Sequence, residues 1–283
     1  MNTSKNSGLK QITFLFLLLI GFQAHGQMGW EVGGWAGIAY YFGDINSDFD
    51  LTHPGPSLGV GARYNFNERI CLKFSANSSF VQAADEYSNN TFQQNRNLSF
   101  QSLIFDGSAQ LEFNFLNYVH GSKDDFFTPY LLGGITVFNF NPKAELNGEL
   151  HELRPLGTEG QFRGDEYYST QLGIIAGGGL KFDLSYRWSM NVEIAARQLF
   201  TDYLDDVSGV YADKDDIASI RGSLAPLAVA LADRSQELNL AEPIGQAGRQ
   251  RGNSANNDRY ATVTVGLLYY FGDIRCPSFP ISK

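Results

Sequence analysis

The stretch Y-A-T-V-T-V-G-L-L-Y-Y-F at Tyr260–Phe271 decides the fold, because its side chains alternate between two chemically different faces. Val263 and Val265 would lie on one side of a strand, and Thr262 and Thr264 on the other. A period of two residues indicates a β-strand with one apolar face. The stretch therefore predicts a long strand near the end of the chain.

Seven other segments resemble this one, which brings the number of predicted strands to eight. In 187–200, for example, Trp188 and Val192 alternate with Ser189 and Glu193. The fifth, 128–140, alternates poorly, and its faces are left unassigned. The approximate bounds of the eight strands are 31–42, 57–66, 70–81, 98–116, 128–140, 168–183, 187–200 and 259–271.

The connections between the strands alternate in length. The long ones follow strands one, three, five and seven, at about 43–56, 82–97, 141–167 and 201–258. The shorter ones follow strands two, four and six, at Asn67–Arg69, Asn117–Phe127 and Leu184–Tyr186. This layout is typical of outer-membrane barrels. We expect an all-β fold, an eight-stranded antiparallel up-and-down transmembrane β-barrel with long extracellular loops, and with both termini in the periplasm.

A soluble eight-stranded barrel of the lipocalin kind is the alternative, because its strands would alternate in the same way. Two features favour the outer membrane and its lipid. The inferred polar faces carry charges of both signs, which suits a narrow interior filled by paired side chains: Arg63, Lys73, Asp106, Glu112, Lys181, Glu193 and Arg197. The other faces carry aromatic residues near strand ends, as interfacial girdles do: Tyr64, Phe66, Phe74, Phe80, Phe113, Phe115, Trp188, Tyr269 and Phe271.

The N-terminal stretch has the features of a secretory signal peptide, since two lysines precede the apolar run Ile12–Phe22 and small residues follow it. We expect residues 1–26 to be removed, 27–275 to form the barrel and 276–283 to form a periplasmic tail. Two of the 21 basic residues leave with the signal, so that 19 basic and 30 acidic residues remain, a net charge of −11. This charge argues against a nucleic-acid partner.

The hexapeptide YYFGDI occurs twice, at Tyr40–Ile45 and at Tyr269–Ile274. The first copy ends the first predicted strand and the second ends the last, so the two copies lie at opposite ends of an up-and-down barrel. Each copy places an outward aromatic pair at a membrane interface and then turns at Gly-Asp. Gly266, Tyr269 and Phe271 also resemble the signal by which the barrel-assembly machinery recognises a last strand.

The run GGGLKFDLSYRWSMNVEIAARQLFTDYLDDVSGVY at Gly177–Tyr211 resembles a family of Bacteroidota outer-membrane proteins. These are the porin-like barrel subunits, of PorG type, of the type IX (Por) secretion machinery. The segments Phe200–Tyr211, Pro129–Ile135 and Tyr269–Pro277 carry most of the likeness, which covers nearly all of the mature chain. The resemblance implies a barrel that contacts a periplasmic ring lipoprotein and its ring partner, with roles in protein transport and gliding motility.

A polar motif opens the longest loop, with residues Thr201, Asp202, Tyr203, Asp205 and Asp206. Its spacing does not match an EF-hand loop, which needs a central glycine and a terminal glutamate. We therefore expect no metal and no cofactor, and expect the carboxylates of Asp205 and Asp206 to bind turn amides. Within the resemblance, the motif folds the base of the fourth loop onto the barrel rim.

Further along the same loop, apolar residues follow helical spacing. They predict a helix kinked at Pro226, which either packs over the barrel mouth or binds a neighbour. These residues are Ile217, Ile220, Leu224, Leu227 and Leu231.

Two other functions suit a barrel of this size. One is an OmpA-like structural barrel or small pore, although eight strands leave little room for an aqueous channel. The other is an outer-membrane lipid-modifying enzyme, which would need a histidine beside a serine nucleophile. The histidines of the mature chain, His53, His120 and His151, all fall in predicted loops or turns. The sequence therefore predicts no catalytic residue.

The two cysteines generate a first test. Cys71 begins the third strand and Cys276 lies in the tail, so both are expected at the periplasmic end, in a compartment that permits disulfides. One alternative is an internal bond, which requires the two Cα atoms to lie within about 7 Å. The other is that Cys276 crosslinks or docks to a periplasmic ring subunit while Cys71 stays reduced, which the Cys-Pro tail within the resemblance favours.

Non-reducing gels of Cys276→Ser separate the two alternatives. If Cys276 joins a partner, the substitution removes a higher-mass adduct that the wild-type protein shows. If the bond is internal, reduction changes the mobility of the wild-type monomer but of neither Cys71→Ser nor Cys276→Ser. A wild-type protein with neither an adduct nor a reduction-dependent mobility contradicts both.

Overall fold

The computed structural model describes residues 28–238 and 240–272. Eight long strands within these residues form a closed antiparallel ring, and a ninth, short strand lies outside it. Their bounds are β1 (Gly29–Phe42), β2 (Gly55–Asn65), β3 (Ile70–Ala84), β4 (Ser99–Asn114), β5 (Phe127–Leu146), β6 (Glu149–Glu152), β7 (Thr170–Asp183), β8 (Trp188–Leu199) and β9 (Arg259–Tyr270). β6 is the short strand.

The ring closes between its first and last strands. β1 pairs antiparallel with β9, from Glu31 opposite Tyr270 to Phe42 opposite Arg259. A closed ring leaves no open edge of unpaired backbone groups, as strands in a membrane require. The predicted eight-stranded antiparallel barrel is confirmed. The two copies of YYFGDI reach opposite ends of it, although residues 273–274 of the second copy lie outside the described residues.

The connections also divide as predicted. We call the end of the barrel that carries the turns at 66–69, 115–126 and 184–187 the turn end, and the opposite end the loop end. The N-terminal start of β1 and the C-terminal end of β9 both lie at the turn end.

The third long connection departs from the prediction. β5 continues to Leu146 and pairs with β6, so that 141–152 is a hairpin and not a loop, and His151 lies on a strand. The Asn147-Gly148 turn supplies the positive φ angles, 55° and 84°, that a tight hairpin of this kind uses. The prediction was wrong because it ended the strand where the membrane-spanning alternation ended, whereas Asn-Gly indicated a hairpin.

Outward and inward faces differ in chemistry along every strand. On β5, whose faces the sequence left unassigned, Leu131 and Ile135 point outward, and Tyr130, Phe138 and Phe140 point inward. The alternation is weak there because both faces are apolar near the loop end.

An apolar belt surrounds the barrel. Val60 and Ile135, for example, leave 62% and 63% of their surface exposed. Comparable outward residues occur on each of the eight strands, among them Val32, Phe74, Leu111, Leu172, Ile194 and Val265. Soluble monomers rarely expose a contiguous apolar patch larger than about a few hundred Å². With its charges inside and its apolar side chains outside, the chain is a barrel of the outer-membrane type.

Aromatic rings line the outer surface at the turn end. Trp30 contacts Tyr64 with ring centroids 5.1 Å apart, and Trp188 contacts Tyr269 at the same distance. Tyr269 in turn contacts Phe271 at 4.8 Å. These amphipathic rings form an interfacial girdle of the kind predicted.

The helices belong to the loops at the loop end. They are α1 (Thr91–Arg96), α2 (Lys214–Arg221) and α3 (Ala225–Ala232), with 3-10 segments at Asp85–Tyr87, Arg154–Leu156, Gly222–Leu224 and Arg234–Leu238. The predicted kinked helix is two helices, because Pro226 takes the first turn of α3, where its missing N–H is tolerated. Ile217 and Leu231 are buried at the barrel mouth. Among the described residues, no helix is long and apolar enough to cross a membrane.

Candidate functional site

A carboxylate in the lumen, Glu112 on β4, collects the positive charges of three other strands. Its Oε2 atom lies 2.7 Å from Arg63 Nε and 2.6 Å from Lys181 Nζ. Its Oε1 atom lies 3.9 Å from Lys73 Nζ. Glu112 is 1% exposed. Because a buried charge is tolerated only when it is paired and hydrogen-bonded, these four side chains depend on one another.

Two further carboxylates extend the network across the barrel. Glu193 on β8 accepts hydrogen bonds from Lys73 Nζ and from Tyr130 Oη, both at 2.6 Å. Glu31 on β1 accepts one from Arg63 Nη1 at 3.1 Å. Glu31 could not be assigned to the lumen from the sequence, because the glycine-rich start of β1 shows little alternation.

A second cluster lies nearer the loop end. Asp106 on β4 lies 3.5 Å from Arg197 Nε on β8, and accepts hydrogen bonds from Asn77 at 2.8 Å and from Tyr260 Oη at 3.0 Å. With this pair, all seven charged residues inferred from the polar faces line the lumen, each at most 9% exposed.

A tryptophan fills the lumen between the two clusters. Trp35 Nε1 donates to Asn77 Oδ1 at 2.8 Å, and Lys73 Nζ lies 4.7 Å from the ring centroid. The neighbouring Gly59 makes room for the indole, since a Cβ atom there would lie 2.1 Å from Trp35 Nε1. Large and small lumen residues thus fit one another, as in other small barrels.

The turn end is closed by His120, which lies in the segment 115–126. Its Nδ1 atom lies 2.9 Å from Asp183 Oδ1, and its Nε2 atom 3.3 Å from Glu31 Oε1. Its ring stacks on Tyr270 with centroids 4.2 Å apart. Burial lowers the pKa of His120, but the hydrogen bond to Asp183 and the charge of Glu31 outweigh burial and raise this pKa to about 9. The imidazole is therefore charged at neutral pH.

The repeated YYFGDI has a second property that the sequence analysis did not identify. The second tyrosine of each copy points into the barrel: Tyr270 closes the turn end against His120, and Tyr41 lies among carboxylates at the loop end. The motif therefore places an aromatic pair outside and a tyrosine inside. The sequence suggested only a catalytic base for His120, because a turn residue shows no alternation that would reveal whether its side chain points into the barrel.

The loop end is closed by apolar packing. Phe138 and Phe140 of β5 are 1% and 0% exposed. They belong to one buried cluster with Leu204 and Val207 from the fourth loop and Ile217 from α2. This cluster, termed the cap, covers the mouth of the barrel.

The polar motif of the fourth loop alternates along the chain with the cap residues Leu204 and Val207. Asp205 Oδ1 accepts from the backbone N–H of Val207 at 2.9 Å, as expected for a carboxylate that binds a turn amide. The same expectation is wrong for Asp206, whose carboxylate accepts from the hydroxyls of Thr158 at 2.5 Å and Tyr167 at 2.7 Å. Asp206 has a left-handed backbone, with φ 67°, and its carboxylate reaches the third loop.

The other residues of the motif hold the two ends of the fourth loop together. The carbonyl of Thr201 accepts from the N–H of Asp258 at 3.1 Å, and the Tyr203 ring stacks on Tyr167 with centroids 4.8 Å apart. Asp202 is buried, and burial raises its pKa to about 7. The base of the loop thus lies on the barrel rim, where the motif was expected.

The remaining candidate residues divide between the described and the undescribed parts of the chain. Cys71 is buried at the turn end of the lumen, with Sγ 3.7 Å from Lys181 Nζ. Gly266 faces inward, and Phe271 outward. Residues 1–26, Cys276 and the tail 276–283 lie outside the described residues, so the signal peptide and the pairing of the cysteines stay predictions. Within the described ranges, no group of three or more His, Cys, Asp or Glu residues is placed to hold a metal ion.

Residues 9–225 match a family model described as Domain of unknown function (DUF6089). The chain belongs to this family. No curated protein matches the chain.

Several solved outer-membrane proteins have folds similar to this DUF6089 barrel. Neisserial surface protein A is 12% identical, with a TM-score of 0.43, over 87% of this chain and 100% of that one. OprG from Pseudomonas aeruginosa is 11% identical, with a TM-score of 0.40, over 89% and 100%. Ail from Yersinia pestis, bound to the heparin analogue sucrose octasulfate, is 9% identical, with a TM-score of 0.39, over 87% and 99%.

A series of contacting side chains runs along the lumen of the DUF6089 barrel from one end to the other. His120 lies at the turn end, the Glu112 cluster follows, then the Asp106 cluster, and the cap covers the loop end. This arrangement is suited to stiffening the barrel and to blocking the passage of solutes.

The paired lumen predicts a loss of stability when one carboxylate is removed. Glu112→Ala leaves three cations without their shared partner, and Glu193→Ala leaves Lys73 and Tyr130 without theirs. Breaking a buried pair costs about 3–5 kcal/mol. We expect each variant to unfold at a lower denaturant concentration, measured as loss of the heat-modifiable band on gels.

Glu145→Ala is the matched control, because Glu145 lies on β5 but is exposed at the loop end. It should unfold with the wild-type protein. If Glu112→Ala and Glu193→Ala also unfold with the wild type, the two carboxylates are not buried partners.

Proposed function

We propose that this DUF6089 barrel is an outer-membrane component of the type IX protein secretion machinery, where it anchors or contacts the periplasmic ring. The observation that carries the proposal is the filled lumen. Charged side chains, His120 and the cap occupy the interior. The outer surfaces of the barrel are therefore the parts available to bind a partner. A barrel of this kind acts by holding a partner and not by conducting solutes.

The type IX assignment is supported by the sequence resemblance at Gly177–Tyr211, which contains the polar motif of the fourth loop. In the structure the carboxylates of this motif form specific contacts, since Asp205 and Asp206 are both buried and hydrogen-bonded. The resemblance therefore falls on residues that shape the loop end. The partners that it implies are the ring lipoprotein and its ring partner.

The turn end is the surface that we assign to those partners. With the long loops outside the cell, the turn end faces the periplasm, where the ring lies. Its turns expose charged side chains, including Lys123, Asp124 and Arg187. The segment 115–126 is held rigidly from below by the ion pairs of His120, so its outer residues are presented in a fixed geometry. A preorganised surface loses little entropy on binding.

An OmpA-like structural role is the second candidate, and the stiff, filled barrel favours it over a small pore. A role as a lipid-modifying enzyme has less support. Both ring nitrogens of His120 lie beside carboxylate oxygens, of Glu31 and Asp183, which leaves neither to accept a proton from a serine. We propose that the protein acts without catalysis.

Purification of the tagged barrel tests the proposal. A tag inserted at Gly148, in the exposed hairpin tip, leaves the turn end free. We expect the periplasmic ring lipoprotein and its partner to copurify from detergent-solubilised outer membrane, as identified by mass spectrometry. Lys123→Glu, at the turn end, should reduce their recovery several-fold.

Arg249→Glu supplies the matched control, because it reverses a charge that is exposed at the loop end. Its recovery of ring proteins should equal that of the wild type. If the tagged wild-type barrel is purified without ring proteins from cells that contain the type IX machinery, the proposed function is contradicted. Recovery that falls in Arg249→Glu and not in Lys123→Glu contradicts the choice of the turn end.

A further inference from the structure

Three buried oxygen-bearing groups meet where the fourth loop joins the barrel. Tyr41, at the end of β1, has its hydroxyl 2.5 Å from Asp205 Oδ2 and 2.9 Å from Asp258 Oδ1. The exposed fractions of Tyr41, Asp205 and Asp258 are 1%, 1% and 0%. The two carboxyl groups come from opposite ends of the fourth loop. We call this set the latch.

The geometry of the latch limits how many hydrogen bonds its groups can form. A tyrosine hydroxyl has one hydrogen to donate, so Tyr41 can serve only one of the two carboxylates. The other oxygen of each carboxyl is already an acceptor, since Asp205 Oδ1 accepts from Val207 N–H at 2.9 Å and Asp258 Oδ2 from Leu204 N–H at 2.8 Å. Two ionised carboxylates would therefore leave one oxygen facing the tyrosine oxygen with no hydrogen between them. Both short contacts are satisfied when one carboxyl carries a proton.

We propose that Asp205 and Asp258 share one proton through Tyr41, and that this proton holds the fourth loop on the barrel rim. When it is lost as the pH rises, two buried negative charges face each other and the cap loosens. This inference does not depend on the type IX assignment, since it concerns the residues of the latch alone.

The surroundings of the latch favour the protonated state. Asp44, in the first loop, and Asp202, in the fourth, add negative charge to it. Arg96, at the end of α1, also faces it, but Arg96 is bound to Asp85 at 2.7 Å and 2.8 Å. The cation of Arg96 is thus largely neutralised by its own partner.

Two further charged groups, from the third loop and the far end of the fourth, act on Asp44. Glu159 lies 3.1 Å from Arg251, and Arg251 also lies 3.8 Å from the carboxylate of Asp206. These charges compensate one another. They leave the latch without a dedicated cation among the described residues that face it.

The direction of the pH dependence follows from burial. Burial and the charge of Asp44 raise the pKa of Asp205 well above its usual value, and burial and the charge of Asp205 do the same for the pKa of Asp258. An acid with a raised pKa in the folded state stabilises that state below its unfolded pKa, about 3.9 for aspartate. This stability is lost as the pH rises through the folded pKa. The cap is therefore tightest in acid and loosens toward alkaline pH.

The latch is placed so that its opening would release the loop as a unit. Asp258 N–H donates to the carbonyl of Thr201 at 3.1 Å, and Leu199 N–H donates to the carbonyl of Asp258 at the same distance. Loss of the latch therefore weakens both ends of the segment 201–258 at once. The barrel strands, whose pairing does not involve the latch carboxyls, would stay closed.

Hydrogen exchange of the purified barrel in detergent, followed by mass spectrometry from roughly pH 5 to pH 9, tests the proposal. The probes are the peptides that contain the amides of Leu204 and Val207. After correction for intrinsic exchange, we expect their opening constant to rise by up to about tenfold per pH unit, as the loss of one proton requires. The strand amides of β4 should show no such rise.

Asp258→Asn supplies the missing hydrogen permanently, because its amide group can donate to Tyr41 while its oxygen accepts from Leu204. We expect the opening constant of this variant to rise less steeply with pH than that of the wild type, with the contribution of Asp202, whose pKa burial raises to about 7, remaining. Asp205→Asn is the reciprocal variant, with the same expected result. Asp216→Asn, which makes the same change at an exposed site in the same loop, should behave as the wild type.

The proposal is contradicted if wild-type opening is independent of pH, or if both asparagine variants keep the wild-type pH dependence. Should neither variant assemble into a heat-modifiable barrel, the wild-type protein decides the question alone. Its infrared spectrum at neutral pH must then contain the carbonyl band of a protonated buried carboxyl group that remains when Asp202 is replaced in Asp202→Asn, and this band must disappear over the range in which the loop opens. Absence of the band contradicts the proposal.

Discussion

The structure depends on one constraint, namely that charges enclosed by a membrane barrel must neutralise one another. Glu112 meets this constraint for Arg63, Lys181 and Lys73, and Glu31 and Glu193 complete the balance. Lipid outside excludes water from one face of every strand, so the polar faces have only one another as partners. The register of the eight strands is therefore tied to the lumen, because a slip by one residue would turn the charges toward lipid.

The two ends of the barrel are closed by different means. A charged histidine between two carboxylates closes the turn end, whereas apolar packing beneath the fourth loop closes the loop end. The repeated YYFGDI contributes an inward tyrosine to each. Tyr270 stacks on His120, and Tyr41 joins two carboxyl groups. A stiff barrel with a rigid turn end and a separately latched loop end is well suited to hold a partner.

The sequence predicted the barrel because alternation is local and strong. The charges at positions such as Lys73 and Glu193 could be assigned to the lumen from parity alone. Parity fails outside regular strands, and for this reason His120 was assigned no partner and the carboxylate of Asp206 was assigned to a turn amide. Contacts between distant segments, such as Tyr41 with Asp258, depend on how the loops fold over the rim, and no short stretch of sequence encodes that.

The conductance of the purified barrel in planar lipid bilayers shows whether the lumen is filled. An established outer-membrane porin, inserted under the same conditions, serves as the control for insertion. With the lumen blocked from His120 to the cap, the wild-type protein is expected to insert without a steady ionic current. A stable current that rises with salt concentration would show a continuous aqueous path, which is incompatible with a filled lumen.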